Sequence, residues 1–261
     1  MLADEREARR AVLTCGRMRF DHAERITFPA RLDCQYLLHV PERVTESTLL
    51  AVTLHGFSSN PEVMLQLTGG MLGADHAIAA LQGPSHFHTN GDPAAQIGYS
   101  WATNRHSASS IRLHHDMLLY VLNEAGTRLG IPPGRRLLVG FSQPVGLNYR
   151  FAATHPDAAR GVIGVCGGLP KVWETAPEFG VVDASLLHIA RREDEYYPPS
   201  VTELYAARMR TRAADVEFHM LDGGHRFPSK ARQIVDPWLA RVFEVGEYKR
   251  SMFGSRGFEN D

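Results

Sequence analysis

One stretch of the sequence combines a strand-like pattern with a residue that could act as a nucleophile. The apolar run at residues 137–141 ends at Ser142, and Pro144 follows two residues later, as expected where a helix opens. A serine at a strand–turn–helix junction carries its hydroxyl above the sheet edge, with the helix N-terminus beneath it. Acyl transfer by Ser142 would need a histidine base, a carboxylate that orients the histidine, and backbone N–H donors for an oxyanion.

Gly-x-Ser is a weak signal by itself, and it recurs at residues 56–58 and 98–100. The match at 98–100 follows no predicted strand, whereas Ser58 does follow one and is a real rival. Ser142 is favoured because a helix is predicted to begin immediately after it, whereas the helix after Ser58 is predicted to begin only at Pro61. An acid and a histidine also follow Ser142 at the ends of later strands, in the order Ser, Asp, His. The alternative is that Ser142 only caps a helix.

His225 is the best candidate for the base among the 13 histidines. It follows the last predicted strand, 216–221, at the carboxyl edge where ligands bind in open α/β sheets. Gly223 and Gly224 precede it and allow the backbone to turn sharply. The alternative is a solvent-facing loop histidine.

The other histidines have more ordinary interpretations. His188 and His219 lie inside predicted strands and are expected to be packed. The neighbours His114 and His115 lie on a predicted helix and cannot both face the sheet. A further pair, His86 and His88, could hold a metal, but no cysteine or carboxylate stands beside them at ligand spacing. The sequence therefore predicts no metal site.

Three acids follow the predicted strand at 185–190, and they are Glu193, Asp194 and Glu195. Asp194 is preferred because a short carboxylate holds an imidazole Nδ1–H with less freedom than a glutamate does. The cluster could instead be a solvated turn, and either glutamate could take the role.

Two backbone amides are predicted to bind the oxyanion. The residue after the nucleophile, Gln143, supplies one N–H, and Phe57 in the loop after an early strand supplies the other. Gly56 would let that loop turn its amide inward. The expected substrate pocket is walled by apolar and aromatic side chains, and each of these could equally be ordinary packing. They are Phe57, Trp101, Leu169, Tyr196 and Tyr197.

Buried strand patterns alternate with helical patterns along most of the chain, which predicts an α/β fold. We expect a mostly parallel central sheet with helices on both faces, and an antiparallel N-terminal edge formed by residues 25–28 and 35–40. Residues 84–106 are predicted to be a long loop. No linker or repeat divides the chain, so residues 1–261 form one domain, with an arm at 1–20 and a polar tail at 247–261. The predicted helices cover residues 61–67, 107–130, 144–154, 200–214 and 229–245.

Composition excludes several classes of function. The formal net charge of -1 gives no electrostatic reason to expect nucleic acid as a partner. No apolar run reaches about 18 residues, and the charged N-terminus does not resemble a signal peptide. Three widely separated cysteines suit a reducing cytoplasm better than a disulfide framework. The sequence leaves a homodimer open.

These residues together resemble the α/β-hydrolase fold, and in detail the phospholipase/carboxylesterase family that includes the acyl-protein thioesterases. The similar stretches are 54–57, 140–143, 168–170, Asp194 with Pro198, and 224–225. The resemblance runs from about residue 35 to residue 245. It implies that Ser142 is the nucleophile, His225 the base and Asp194 its orienting acid, with Phe57 and Gln143 as amide donors. It also implies that no cofactor or metal is needed.

The sequence departs from this family at one position, because Pro144 replaces the last glycine of Gly-x-Ser-x-Gly. Proline fits the first turn of a helix, so the turn should tolerate it with a small local shift. The function expected is a serine carboxylesterase that cleaves short-to-medium acyl esters of small molecules through an acyl-enzyme. The alternatives are an acyl-thioesterase or peptidase with the same fold, or a hydrolase-like protein that binds a ligand without catalysis.

Overall fold

The structure is a computed structural model, and it describes residues 23–24, 26–90, 94–103 and 105–244. Its main feature is a seven-stranded sheet with the strand order β1-β3-β2-β6-β7-β8-β9. The seven strands are β1 (Tyr36–His39), β2 (Leu50–Leu54), β3 (Ala77–Leu81), β6 (Arg136–Phe141), β7 (Gly161–Val165), β8 (Ser185–Arg191) and β9 (Val216–Leu221). All neighbouring pairs are parallel except β1 with β3. The predicted fold class, a mostly parallel sheet with an antiparallel edge, is confirmed.

Helices cover both faces of the sheet, as the alternation of patterns predicts. The longer ones are α1 (Pro61–Leu72), α2 (Ser107–Leu129), α3 (Val145–Thr154) and α6 (Ala231–Leu239), and the shorter ones are α4 (Pro199–Thr202) and α5 (Tyr205–Met209). Side chains of α2 and α3 share one buried cluster with Leu50 and Val52 of β2. Side chains of α1 and α6 share the other with Ala51. The period of two along a buried strand thus divides the core into two layers.

Contacts within the chain divide it into a unit from Met1 to Asp33 and a unit from Cys34 to Asp261. The larger unit contains the entire seven-stranded sheet. In the smaller unit, residues 26–33 have no helix or strand and are exposed. The predicted arm at 1–20 and tail at 247–261 lie outside the described residues.

The antiparallel edge forms with a different partner from the one predicted. Tyr36 pairs with Leu81 and His39 pairs with Ile78, so β1 lies against β3. Residues 26–28, which were expected to pair with 35–40, form no strand. The local alternation of side chains predicted a strand at an edge, but it carries no information about which distant strand supplies the hydrogen bonds.

The predicted loop at 84–106 contains a hairpin, so the prediction of a structureless loop is wrong for this part. Strands β4 (Ser85–His88) and β5 (Ile97–Ser100) pair antiparallel, with His86 opposite Tyr99. Four residues are too few to show a clear period of two in the sequence. Residues 91–93 and 104 are not described.

Helix ends differ from their predicted positions where local signals compete with packing. Helix α1 continues through Gly69-Gly70 to Leu72, because Met71 and Leu72 are buried in the core. The predicted helix at 200–214 is the two short helices α4 and α5, and α4 begins at Pro199 with no side-chain cap. Helix α6 begins at Ala231 and is followed by a π-helical turn, Ala240–Glu244.

Candidate active site

Ser142 lies at the apex of the turn between β6 and α3, at the carboxyl edge of the sheet. Its φ is 63°, in the left-handed region that few residues other than glycine adopt. Its N–H donates to the Val165 carbonyl oxygen at 2.9 Å, and its own carbonyl oxygen accepts from the Val145 N–H at 3.2 Å. These bonds hold a conformation that costs on the order of 1–3 kcal/mol, and such strain is typical of a nucleophile elbow.

The turn depends on a close approach by Gly167, which follows β7. A Cβ on Gly167 would lie 2.6 Å from the Ser142 carbonyl oxygen and 2.3 Å from the Val145 Cβ. No side chain fits there, so only glycine lets this segment pass behind the elbow. No sequence signal marks Gly167, although it lies next to the motif at 168–170.

Pro144 fits the turn without strain. Its φ is -76°, close to the value that the proline ring imposes, and it occupies the N-cap position of α3. Its carbonyl oxygen accepts the Asn148 N–H at 2.8 Å, which begins the helical hydrogen bonds. The replacement of the family's glycine by proline is therefore compatible with the elbow.

His225 lies within hydrogen-bond distance of both expected partners. Its Nε2 is 2.9 Å from the Ser142 Oγ, and its Nδ1 is 2.9 Å from the Asp194 Oδ2. A carboxylate can only accept, so the proton lies on Nδ1 and Nε2 is left to accept the serine proton. The imidazole is therefore in the tautomer that a general base for Ser142 requires.

Asp194 is almost completely buried, with 3% of its surface exposed. Its second oxygen, Oδ1, accepts the N–H groups of Tyr196 and Tyr197, both at 2.9 Å. The two neighbouring acids have other partners: Glu193 accepts the Gly223 N–H, and Glu195 accepts the backbone N–H of His225 at 3.3 Å. Of the three acids considered from sequence, Asp194 is the one whose carboxylate meets the imidazole.

Aromatic rings enclose the His225 imidazole on its sides. The Phe141 ring centroid lies 5.2 Å from that of His225, and the Tyr196 ring meets it edge-on at 4.9 Å. Tyr197 lies at 5.9 Å, and burial raises the pKa of its phenol, while a hydrogen bond with Ser142 acts in the opposite direction. These rings pack around the imidazole, and the His225 side chain is 13% exposed.

The loop after β2 runs beside Ser142, as expected for a loop that supplies an oxyanion donor. A Cβ on Gly56 would lie 3.3 Å from the Ser142 Cβ and 3.0 Å from the Phe141 ring. Within the described part of the chain, no backbone carbonyl accepts a hydrogen bond from the N–H of Phe57 or of Gln143. Both amides therefore remain candidates for oxyanion donors.

His55 holds the base of this loop. The Gly83 N–H donates to its Nε2 at 3.0 Å, so its Nδ1 must carry the proton and donate to the Gly56 carbonyl oxygen at 2.7 Å. Burial lowers the pKa of His55 to about 4, which keeps the ring neutral. The Trp101 indole N–H donates to the His55 carbonyl oxygen at 2.7 Å. His55 is thus a structural histidine of the loop.

Cys166 lies close to Asp194, a position that was not predicted from sequence. It is buried, has a φ of 46°, and its Sγ contacts the Arg226 carbonyl oxygen at 3.6 Å. Burial, with the nearby Asp194 charge, raises the pKa of its thiol to about 12. Among the described residues, Cys166, Asp194 and His225 form the cluster with metal-ligand spacing, their atoms within 4.8 Å of one another. Both His225 nitrogens are already engaged by Asp194 and Ser142.

The predicted pocket residues differ in how much surface they offer. Tyr196 is 70% exposed and Phe57 is 60% exposed, so both can contact a ligand directly. Tyr197 is half-buried, and its ring packs where Gly168 leaves space for it. Leu169 is 7% exposed and Trp101 is 1% exposed, so these two offer little surface and contribute mainly to packing around the site.

Four other histidines considered from sequence, which are His114, His115, His188 and His219, have packing or hydrogen-bond partners of their own. His188 is buried, and its Nδ1 is hydrogen-bonded to the Tyr149 hydroxyl at 2.8 Å. His114 is buried against Trp101, while its neighbour His115 faces Phe151, in agreement with the prediction that the two cannot share one direction. His219 is half-buried and pairs with Glu217.

Comparisons with known proteins identify the fold. No family model matches the chain, and no curated protein matches it either. Solved structures do: a carboxylesterase from Mesorhizobium loti is 20% identical, with a TM-score of 0.65 over 82% of this chain and 98% of that one. The esterase PE8 is 20% identical, with a TM-score of 0.63 over 82% of this chain and 100% of that one. The Zea mays acyl-protein thioesterase 2 is 14% identical, with a TM-score of 0.61 over 80% and 99%.

The chain therefore has the α/β-hydrolase fold, in the form shared by carboxylesterases and acyl-protein thioesterases. These identities are low, so the likeness shows the fold alone, and a shared fold does not by itself define the reaction. In the part of the chain that the structure describes, no helix has the length and apolar character needed to cross a bilayer.

Proposed function

We propose that this protein is a serine carboxylesterase, with Ser142 as nucleophile, His225 as general base and Asp194 as the acid that orients the base. The observation that carries this proposal is the continuous chain of two 2.9 Å hydrogen bonds that joins Ser142, His225 and Asp194. The strained backbone of Ser142 supports it, because an ordinary helix-capping serine needs no positive φ. A hydrolase with this fold that acts on esters agrees with the structural neighbours.

The reaction follows from the proton positions. His225 Nε2 takes the hydroxyl proton as the Ser142 Oγ attacks the ester carbonyl carbon, and the carbonyl π electrons move to its oxygen. The Phe57 and Gln143 N–H groups bind that oxyanion. The tetrahedral intermediate expels the alkoxide, which leaves as an alcohol with the proton from His225. Water, deprotonated by the same nitrogen, then attacks the acyl carbon. As the bond to the Ser142 Oγ breaks and the acid leaves, the imidazolium returns its proton to that oxygen.

Asp194 stabilises the imidazolium that forms in each step. Its buried carboxylate keeps one oxygen on the His225 Nδ1–H, while two backbone N–H groups fix the other oxygen. The carboxylate therefore cannot turn away from the ring without losing hydrogen bonds. The negative charge lies in a mostly buried environment, where its attraction for a developing cation is larger than in water.

Exposed apolar side chains next to the site support an ester with an apolar acyl or alcohol part. Phe57 and Tyr196 are each more than half exposed. Phe57 lies in the loop after β2, and Tyr196 lies in the loop after β8. We propose short-to-medium acyl esters of small molecules as substrates, in a cytoplasmic setting and with no cofactor or metal. A thioester or an aminoacyl substrate would use the same groups, so these belong in the assay.

The test is hydrolysis of p-nitrophenyl acetate, butyrate and octanoate, with an acyl-CoA thioester and an aminoacyl p-nitroanilide measured in parallel. We expect the wild-type protein to cleave the short esters and Ser142→Ala to lose at least about 10³-fold of that activity. The matched control is Ser58→Ala, which changes the serine of the other Gly-Phe-Ser and should keep most of the activity. Ester hydrolysis that survives Ser142→Ala, or a folded wild-type protein without activity, contradicts the proposal.

A further inference from the structure

The β4–β5 hairpin is joined to the loop that carries the Phe57 amide. The Ser58 N–H donates to the Tyr99 carbonyl oxygen at 2.9 Å, and the Tyr99 N–H donates to the Ser59 carbonyl oxygen at 2.9 Å. This pair of bonds is an antiparallel bridge, so the loop behaves locally as a third strand beside β5. The Phe57 ring also stacks on the Phe87 ring of β4, at 5.3 Å between centroids. The hairpin therefore controls where the backbone around Phe57 lies.

The same hairpin is joined to the nucleophile turn by the side chain of Gln143. Its Oε1 accepts the Trp101 N–H at 2.9 Å, and its Nε2 donates to the Ala102 carbonyl oxygen at 2.8 Å. Its Nε2 also contacts the Ser100 hydroxyl oxygen at 3.2 Å. The amide thus satisfies one donor and one acceptor of the main chain just after β5, as a neighbouring strand would.

Few other side chains could replace this contact. Methionine or leucine would leave the Trp101 N–H without its partner and the Ala102 carbonyl oxygen with only the Ser100 hydroxyl, at 3.4 Å. The nearby Trp101 side chain is fully buried. Glutamate would keep an acceptor for the Trp101 N–H but would place a second carboxylate oxygen against the Ala102 carbonyl oxygen. Glutamine is therefore matched to this site at both ends of its amide.

We propose that the β4–β5 hairpin, fastened by the Gln143 side chain, is the element that sets the distance between the two oxyanion donors. The Gln143 side chain is a positioning group, separate from the Gln143 N–H that contacts the oxyanion. This inference rests on the proposed function, since it assigns a purpose to the hairpin within the same reaction. A misplacement of either amide by about 1 Å weakens the hydrogen bonds to the transition state more than those to the bound ester.

The experiment compares Gln143→Met with wild type on p-nitrophenyl butyrate and on an alkyl trifluoromethyl ketone, which forms an oxyanion on the nucleophile. We expect kcat to fall by about 10- to 100-fold, KM to change by less than about threefold, and the ketone to bind correspondingly more weakly. Ser100→Ala, which removes one weaker contact, should have a smaller effect in the same direction. The matched control is Gln96→Met, the same substitution at an exposed residue just before β5, where kcat should not change.

Amide hydrogen exchange makes the result independent of catalysis. In folded Gln143→Met, the Tyr99 and Ser58 amides should exchange faster than in wild type, while amides of β7 should not change. A variant with wild-type kcat, or one in which only KM rises, overturns the inference, and so does unchanged exchange at Tyr99. If wild type itself does not hydrolyse esters, the proposed function fails, and the exchange data then decide the link between hairpin and turn alone. Gln143→Glu serves in place of Gln143→Met if the latter does not fold.

Discussion

The substitution Asp194→Asn isolates the orienting role of Asp194 without changing the shape of the side chain. In the structure, the Tyr196 and Tyr197 N–H groups both point at Oδ1. An asparagine must therefore place its carbonyl oxygen there and direct its NH₂ group at the His225 Nδ1. A nitrogen that faces a donor has to accept, so the proton moves to Nε2, and the imidazole can no longer take the Ser142 proton.

The loss of rate follows from two contributions. Rotating the amide to restore the active tautomer would break two backbone hydrogen bonds, at a cost of about 2–3 kcal/mol. Removing the buried negative charge beside the imidazolium costs a further amount of about 2–3 kcal/mol. Since about 1.4 kcal/mol corresponds to a factor of ten in rate, kcat should fall by about 10³- to 10⁴-fold. The thermal midpoint should change little, because the volume and most hydrogen bonds are kept.

The assay is steady-state hydrolysis of p-nitrophenyl butyrate at pH 7.5, with folding checked by circular dichroism. The matched controls are Glu193→Gln and Glu195→Gln, which are the same change at the flanking acids. Their amide oxygens can still accept from Gly223 and from the His225 backbone, so both variants should stay within about threefold of wild type. Asp194 does not orient His225 if Asp194→Asn keeps more than a tenth of the wild-type kcat, or if Glu193→Gln or Glu195→Gln lowers kcat by more than Asp194→Asn does.

Two further predictions concern the loop and the core. Gly56→Ala should lower kcat/KM by about tenfold or more, because its Cβ would lie 3.3 Å from the Ser142 Cβ. The control is Gly70→Ala in α1, whose Cβ would have no atom within 4 Å and which should leave kcat/KM unchanged. Ester hydrolysis by both variants tests this. Stability should fall as the pH drops below 6.5, because burial lowers the folded pKa of five of the described histidines. The pKa falls to about 4 for His55 and His115 and to about 3 for His114 and His188, and it is also lowered for His76. The stability that these neutral rings confer is fully present above pH 6.5 and is lost as the pH falls towards the folded pKa values. The slope is up to about 1.4 kcal/mol per pH unit for each histidine. Urea unfolding at pH 7.5 and pH 5 measures this loss, and equal free energies of unfolding at the two pH values would contradict the prediction.

Much of the fold could be predicted from sequence because its signals are local. Buried strands such as β2 and β7 are continuous apolar runs, and alternation with helical patterns specifies parallel crossovers. The partner of β1 could not be predicted, because pairing with β3 is a contact between residues far apart in the chain. The hairpin β4–β5 was missed since its strands have four residues each and several histidines and aromatics that also suit a loop.

At the site, too, features with local signals could be predicted from sequence, and contacts between distant segments could not. Ser142, Asp194 and His225 could be selected by chain order, since each follows a predicted strand, and the structure brings them together at one edge of the sheet. The use of the Gln143 side chain could not be predicted, because its partners are main-chain atoms of a segment some 40 residues earlier in the sequence. The requirement for glycine at position 167 could not be predicted either, because it arises only where the segment after β7 packs against the turn at Ser142.

The central claim is that the Ser142 hydroxyl is activated by His225. The most direct measurement is labelling of the folded protein with a fluorophosphonate, followed by intact mass and peptide mapping. We expect a single adduct on Ser142 in wild type, and labelling that is much slower in Asp194→Asn. An unlabelled folded protein, or an adduct on Ser58 in place of Ser142, would contradict it.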